Sequence, residues 1–220
     1  EDEVAEAQVR LGKGQKHGHK KEAIVTTVYT IQAAPRTPSE VIASFFKENQ
    51  PKQKRNNDSK PQNKHIWATL DGKDIALVRL SIQVALREGA HILHRVALCD
   101  GCEALQSRMV LQFQDFILIL DFVHANEYLW DAANSLLGET SDQRLEWVKS
   151  RTLQILSGQT VQVIADLRLI AKNKKMKVAQ RTQLNKTANY FERNLPYMDY
   201  QTYLSNGYPI ASGAIEGACR

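Results

Sequence analysis

The sequence predicts an α/β fold whose second half is almost entirely helical. Two observations carry this expectation. Apolar runs at residues 94–99 and 116–120 alternate with segments of helical spacing, and each run ends in an aspartate, Asp100 and Asp121. Beyond residue 141 the apolar positions recur only at helical intervals. Strands that are apolar throughout and alternate with helices pack parallel, with helices on both faces.

In chain order, residues 1–21 are polar and rich in Lys, Gly and His, and read as a mobile basic segment. Residues 24–31 are dominated by β-branched side chains and predict a strand. Pro35 and Pro38 break it, and a short helix follows from Ser39 to Phe46. Residues 47–64 hold almost no apolar side chains and read as a solvated loop, disordered when alone, with order resuming at Ile66-Trp67-Ala68. Leu77, Leu80, Val84 and Ala85 predict a helix over 75–88.

The strand at 94–99 comes next, then a helix with Leu105 and Met109 on one face. The strand at 116–120 follows, and a helix runs on through Leu137. Thr140-Ser141-Asp142-Gln143 has the form of a capping box. Apolar stripes at Leu145, Val148, Ile155 and Leu156, and at Val163, Ile164, Leu167 and Ile170, give two helices. A third spans 178–193 and stops before Pro196; no internal repeat is visible.

The 220 residues, 43% of them hydrophobic, are enough for one good core and a smaller second one. No stretch reaches the roughly 18 consecutive apolar residues of a membrane span. Three cysteines are an odd count, which argues against a disulfide scaffold. With no secretory signal visible, a cytoplasmic protein with a polyanionic partner is expected, although a formal charge of +5 alone is a weak pointer to nucleic acid. The chain opens on Glu1 rather than Met, and Arg220 falls soon after a helix begins near Ser212 or Gly213, so the sequence reads as part of a longer protein.

Parallel α/β sheets gather functional groups at the carboxyl ends of their strands, where Asp100 and Asp121 stand. Turn chemistry alone explains an Asp-Gly pair, and an Asp closing a strand commonly caps the next helix. His124 read alone is a packed surface histidine, and Glu216 alone carries no signal. Taken together, two acids converging on one crevice are tolerated best around a divalent cation, and their hard oxygens suit Mg²⁺ or Mn²⁺. Such a site activates a hydroxyl and stabilises a leaving oxygen in phosphodiester chemistry.

Three blocks carry a resemblance: Val96-Ala-Leu-Cys-Asp100-Gly101, Ile119 to Trp130 with Asp121-x-x-His124, and Tyr208 to Arg220 with Glu216. Together with residues 21–38 they resemble the DDE-type transposases of the ISKra group of insertion sequences. The resemblance implies an RNase H-like core over residues 22–127, with the loop near 47–64 inside it. It further implies an all-helical insertion over 128–206, and over 207–220 the start of the core helix bearing the last acid. Asp100 matches the second catalytic and metal-binding acid and Glu216 the third. Asp121 and His124 match a supporting Asp-x-x-His motif. The first acid would lie on a strand ahead of residue 24, and none of Asp2 and the nearby glutamates is a good substitute, so this chain reads as a fragment lacking the first catalytic Asp and is expected to have little or no strand-transfer activity alone. The implied enzyme cuts and joins DNA with Mg²⁺ or Mn²⁺. It acts as a homodimer or larger assembly on double-stranded DNA, in the bacterial cytoplasm at the nucleoid and away from membranes.

Other motifs weigh less. Cys99-x-x-Cys102 would need two more ligands for zinc, and Cys99 closes a strand where a redox motif opens a helix. His91-x-x-His94 reads as coincidence. Arg168, Lys172, Lys174, Lys175, Lys177 and Arg181, with Lys186 and Arg193, form a basic cluster facing few acids. As a group they predict contact with the DNA phosphate backbone, which positions a duplex without reading its sequence. The alternative reading is a non-catalytic DNA-binding remnant of a decayed element.

Overall fold

The computed structural model describes residues 22–47 and 60–212, so the expectations for 1–21 and 48–59, and for Glu216, lie outside the described residues. Four strands and eight α-helices make up the described chain as a mixed α/β structure. β1 (Ile24–Thr30) pairs antiparallel with β2 (Gln62–Thr69), Ile24 facing Thr69 and Thr30 facing Gln62. β3 (Val96–Cys99) pairs parallel with β4 (Ile117–Leu120), Val96 facing Ile117 and Cys99 facing Leu120. Among the described residues these are two separate two-stranded sheets.

β2 corrects the loop expected over 47–64, because residues 62–64 already belong to the strand. Its first half is polar because that part of the strand faces water. Inward positions appear only at His65, Trp67 and Thr69, with period two. The bonds to β1, rather than burial, hold it in place.

α1 (Pro38–Phe45) opens with Pro at N1 and a reciprocal box: Glu40 N donates to Thr37 Oγ1 at 3.3 Å and Thr37 N donates to Glu40 Oε2 at 2.7 Å. The box expected at Thr140–Gln143 does not form. Asp142 caps α5 (Gln143–Leu156) without a side-chain bond, and Ser141 Oγ instead accepts from Gln143 N at 3.3 Å.

α2 (Lys73–Ala85) and α3 (Glu103–Gln112) cover one face of the β3–β4 pair, burying Leu77, Ala97, Met109 and Phe113 together. The other face meets the main core, formed with α4 (Phe122–Leu137), α5, α6 (Thr160–Ala171), α7 (Val178–Asn194) and α8 (Tyr200–Ser205). Ile119, Leu120, Leu129, Leu156, Leu184, Phe191 and Tyr200 are fully buried there. The parallel pair is therefore covered on both sides, as its apolar strands require. The expected start of the insertion at residue 128 falls inside α4, which runs unbroken across it.

Candidate active site

β3 and β4 end side by side, and an aspartate follows each. Asp100 is exposed, and its Oδ1 accepts from Cys102 N at 3.0 Å. That local bond folds the Asp-Gly turn and sets Cys102 as the cap of α3. Asp100 Oδ2 accepts no hydrogen bond among the described residues.

Gly101 is packed against α7. A Cβ there would lie 2.2 Å from Tyr190 Cε2 and 2.4 Å from its hydroxyl, so no larger residue fits without movement. Arg193 Nη2 donates to Gly101 O at 2.7 Å, and Tyr190 stacks on Tyr128 with centroids 3.6 Å apart. One turn of α7 thus holds the Asp100 turn from above.

Asp121 differs sharply from Asp100. It is 1% exposed, and both oxygens are taken by backbone amides: Val123 N donates to Oδ1 at 2.8 Å and Ser212 N to Oδ2 at 2.7 Å. The first bond caps α4. The second ties down the segment that leads towards Glu216. His124 does not contact Asp121 through a hydrogen bond among the described residues. Its Nδ1 lies 3.1 Å from Glu127 Oε2, on an exposed helix face.

Electrostatic neighbours show that the two carboxylates share one region. Burial pushes the Cys99 thiol well up, and Asp100 and Asp121 push it further. The Tyr190 phenol is raised by burial first, then by Tyr128 and by both aspartates. Tyr200, whose hydroxyl donates to Leu120 O at 2.9 Å, is raised well above the usual range by burial and then by Asp121. Tyr29 on β1 is raised by burial and by Asp121 as well.

Cations rim the Asp100 turn. Arg193 comes from α7, Arg108 from α3 is bonded to Asp74, and Lys73 from the start of α2 is bonded to Glu22. Farther off, Lys172, Lys174, Lys175 and Lys177 are exposed along the connection between α6 and α7, with Arg181 half-buried nearby. Arg168 is engaged by Glu192 and by Asn189 Oδ1.

Cys99 and Cys102 are both free thiols, and the raised pKa of Cys99 disfavours the thiolate that redox or zinc chemistry needs. His94 packs its ring against Tyr208, with centroids 5.2 Å apart. Among the described residues no three His, Cys, Asp or Glu side chains form a metal-binding group. The exposed carboxylate of Asp100 nonetheless has the hard-oxygen chemistry that Mg²⁺ or Mn²⁺ takes, whereas the oxygens of Asp121 are already committed. Tyr190 and Tyr200 carry no local sequence signal as site residues, and Ser212 was expected only as a helix start. A glycine after Asp100 signals a close approach, but nothing local names the residue that makes it. No protein-family model, curated protein or solved structure matches the chain.

Proposed function

We propose that the chain contributes to the catalytic core of a DDE-type transposase, an RNase H-like fold that cleaves and joins DNA strands. The observation that carries this reading is the pair of aspartates at the carboxyl ends of adjacent parallel strands, one exposed and one locked into the scaffold. In it, Asp100 and Glu216 are the metal-binding and catalytic acids, with Asp121 and His124 in support. The expected cofactor, Mg²⁺ or Mn²⁺, would supply charge neutralisation at the scissile phosphate when bound. Asp100 offers it a hard oxygen, and Arg193, Arg108 and Lys73 stand near the turn, each paired with a carboxylate of Glu103, Asp74 or Glu22.

The finer fold assignment draws support from the gap between the sheets. A groove of about 600 Å³ is lined on one side by β1 and on the other by β3, with Leu77, Leu80 and Met109 beneath. Two strand edges facing one apolar groove offer a seat for a further strand, and the resemblance implies one ahead of β1. The bound DNA would be double-stranded, held by Lys172, Lys174, Lys175, Lys177, Arg168 and Arg181, with a homodimer or larger assembly forming on it. No helix among the described residues is long and apolar enough to cross a membrane.

Calorimetry with Mn²⁺ tests the reading. Binding is expected in the wild-type chain and should be lost in Asp100→Ala and in Glu216→Ala; binding unchanged by both substitutions refutes it. The second reading, DNA binding without catalysis, rests on the exposed lysines at 172–177, which need no carboxylate. Salt-dependent DNA binding with no Mn²⁺ binding at all would favour it.

A further inference from the structure

We propose that the water-facing side of α2 is a contact between two copies of this chain, paired antiparallel about a two-fold axis at Val78. The assembly expected on DNA has no surface assigned to it. This contact needs no DNA and rests on the apolar face of α2, not on the catalytic reading.

α2 is apolar on two opposite faces. Leu77, Leu80 and Val84 pack with Ala97 of β3 and with Met109. The outer face carries Ile75, Val78 and Ile82, and Leu86 stands at the C-cap. Spacings of three, four and four keep these side chains on one stripe. With Leu70 just ahead of the helix, each is between 50% and 73% exposed. A helix apolar all round belongs in a core. Ile and Val on a stripe facing water gain nothing from helix propensity either. Burial against a partner gives them a purpose.

The order of these residues suits a second copy of the same stripe. Ile75 lies three positions before Val78 and Ile82 four after it, while Leu70 and Leu86 lie eight before and eight after. An antiparallel two-fold through Val78 therefore sets Ile75 beside Ile82 of the second copy, and Leu70 beside its Leu86. Along the helix the first pair is offset by only about 1.5 Å, the rise of one residue. That is the self-complementarity an isologous interface requires. The charges bordering the stripe are already engaged: Asp74 is bonded to Arg108 of α3, Asp71 to Thr69, and Arg79 lies over the Trp67 ring at 4.5 Å. None would be buried unpaired.

Leu111 on the neighbouring α3 is exposed as well and widens the patch. At roughly 100 Å² of open surface each, these side chains amount to about 600 Å², the upper end of what a monomer exposes, and two copies to about 1,200 Å², the lower end of a specific interface. The dimer is accordingly weak and concentration-dependent.

Sedimentation velocity on the full chain without DNA, from micromolar to sub-millimolar concentration, tests this. The wild type should pass from monomer to dimer. Val78→Asp and Val78→Lys each set like charges against each other at the axis and should weaken association by about 100-fold or more. An equal mixture of the two should dimerise again, which also shows that both are folded. A second pair fixes the direction: Ile75→Asp and Ile82→Lys should each weaken the dimer alone and restore it when combined in one chain, as only an antiparallel pairing allows. No acid of the candidate site is changed, so Mn²⁺ calorimetry on the same variants reads the site independently. A wild-type chain that stays monomeric throughout overturns the proposal, whether another part of this chain or a different protein covers α2. So does a dimer that forms only with DNA, or one that Val78→Asp leaves intact.

Discussion

Replacing Gly101 by alanine adds one methyl group at the point where α7 rests on the Asp100 turn. Its carbon would lie 2.2 Å from Tyr190 Cε2, 2.4 Å from the hydroxyl oxygen and 2.6 Å from Cζ. Tyr190 cannot simply swing aside. It is 7% exposed, its ring lies 9° from parallel on Tyr128, and Phe191 and Arg193 flank it. Either the ring or the turn must therefore shift, and overpacking of this kind costs about 1–3 kcal/mol. The bond from Arg193 to Gly101 O would loosen too, although Arg193 is nearly half exposed and adds little. At about 2 kcal/mol, and roughly 2–4 °C per kcal/mol for a chain of this size, thermal unfolding should move down by about 4–8 °C. Differential scanning fluorimetry measures this directly. The double variant Gly101→Ala/Tyr190→Ala should unfold no lower than Tyr190→Ala, since the clash has gone. An unchanged melting temperature in Gly101→Ala, or additive losses in the pair, would refute the docking of α7 on this turn.

Tyr200→Phe leaves Leu120 O without its buried donor and should cost about 1–3 kcal/mol in chemical denaturation without altering DNA binding. Tyr200, Tyr190 and Cys99 all have raised pKa values in the fold, so each favours folding fully below its unfolded value. That contribution is lost as pH rises beyond the ordinary thiol value of 9.0 and phenol value of 10.0, and alkaline titration should show it. The slope above pH 10 should be shallower in Tyr200→Phe than in wild type. Glu40 runs the other way. Its pKa is lowered, first by the Thr37 backbone N–H, so its contribution holds above 4.5 and fades as pH falls through the folded value. Amide protection in α1 should drop in that range for wild type and be insensitive to it in Glu40→Gln. Replacing Lys172, Lys174, Lys175 and Lys177 by alanine should reduce the salt dependence of DNA binding by about one unit of slope for each phosphate contact removed. A slope identical to wild type would exclude the α6–α7 connection as a DNA contact.

What the sequence made legible was what short-range pattern decides. The apolar runs ending at Asp100 and Asp121 gave β3 and β4 and their parallel pairing, and helical spacing gave the second half. β2 was half hidden because Gln62, Asn63 and Lys64 face water, and only their partners on β1 define them as strand. The capping box expected at Thr140–Gln143 does not close, whereas one that the pattern had not signalled forms at Thr37 and Glu40. In the candidate site, pattern placed Asp100 and Asp121 at strand ends, and only the resemblance, not the pattern, gave them unequal roles. That inequality comes from Ser212, Tyr190 and Arg193, which reach the strand ends from far along the chain. Periodicity carries no record of such contacts.

Those distant contacts also fix how the helical half relates to the strand ends. Tyr128 on α4, Tyr190 and Arg193 on α7, and Tyr200 on α8 all bear on the residues from Leu120 to Asp121 or on the Asp100 turn. The helical layer is therefore packed onto the strand ends that carry both aspartates. α7 has a further consequence, because it begins one residue past Lys177 and carries Arg193 in its last turn. Its 17 residues form a rod about 25 Å long, at about 1.5 Å per residue. A duplex lying along that rod rises about 3.4 Å per base pair, so the lysines would hold phosphates roughly seven base pairs from the one nearest Asp100. Hydroxyl-radical footprinting with and without the four lysine substitutions measures that spacing. Lost protection centred beside the Asp100-proximal phosphate, rather than most of a helical turn away, would show that the DNA does not follow α7.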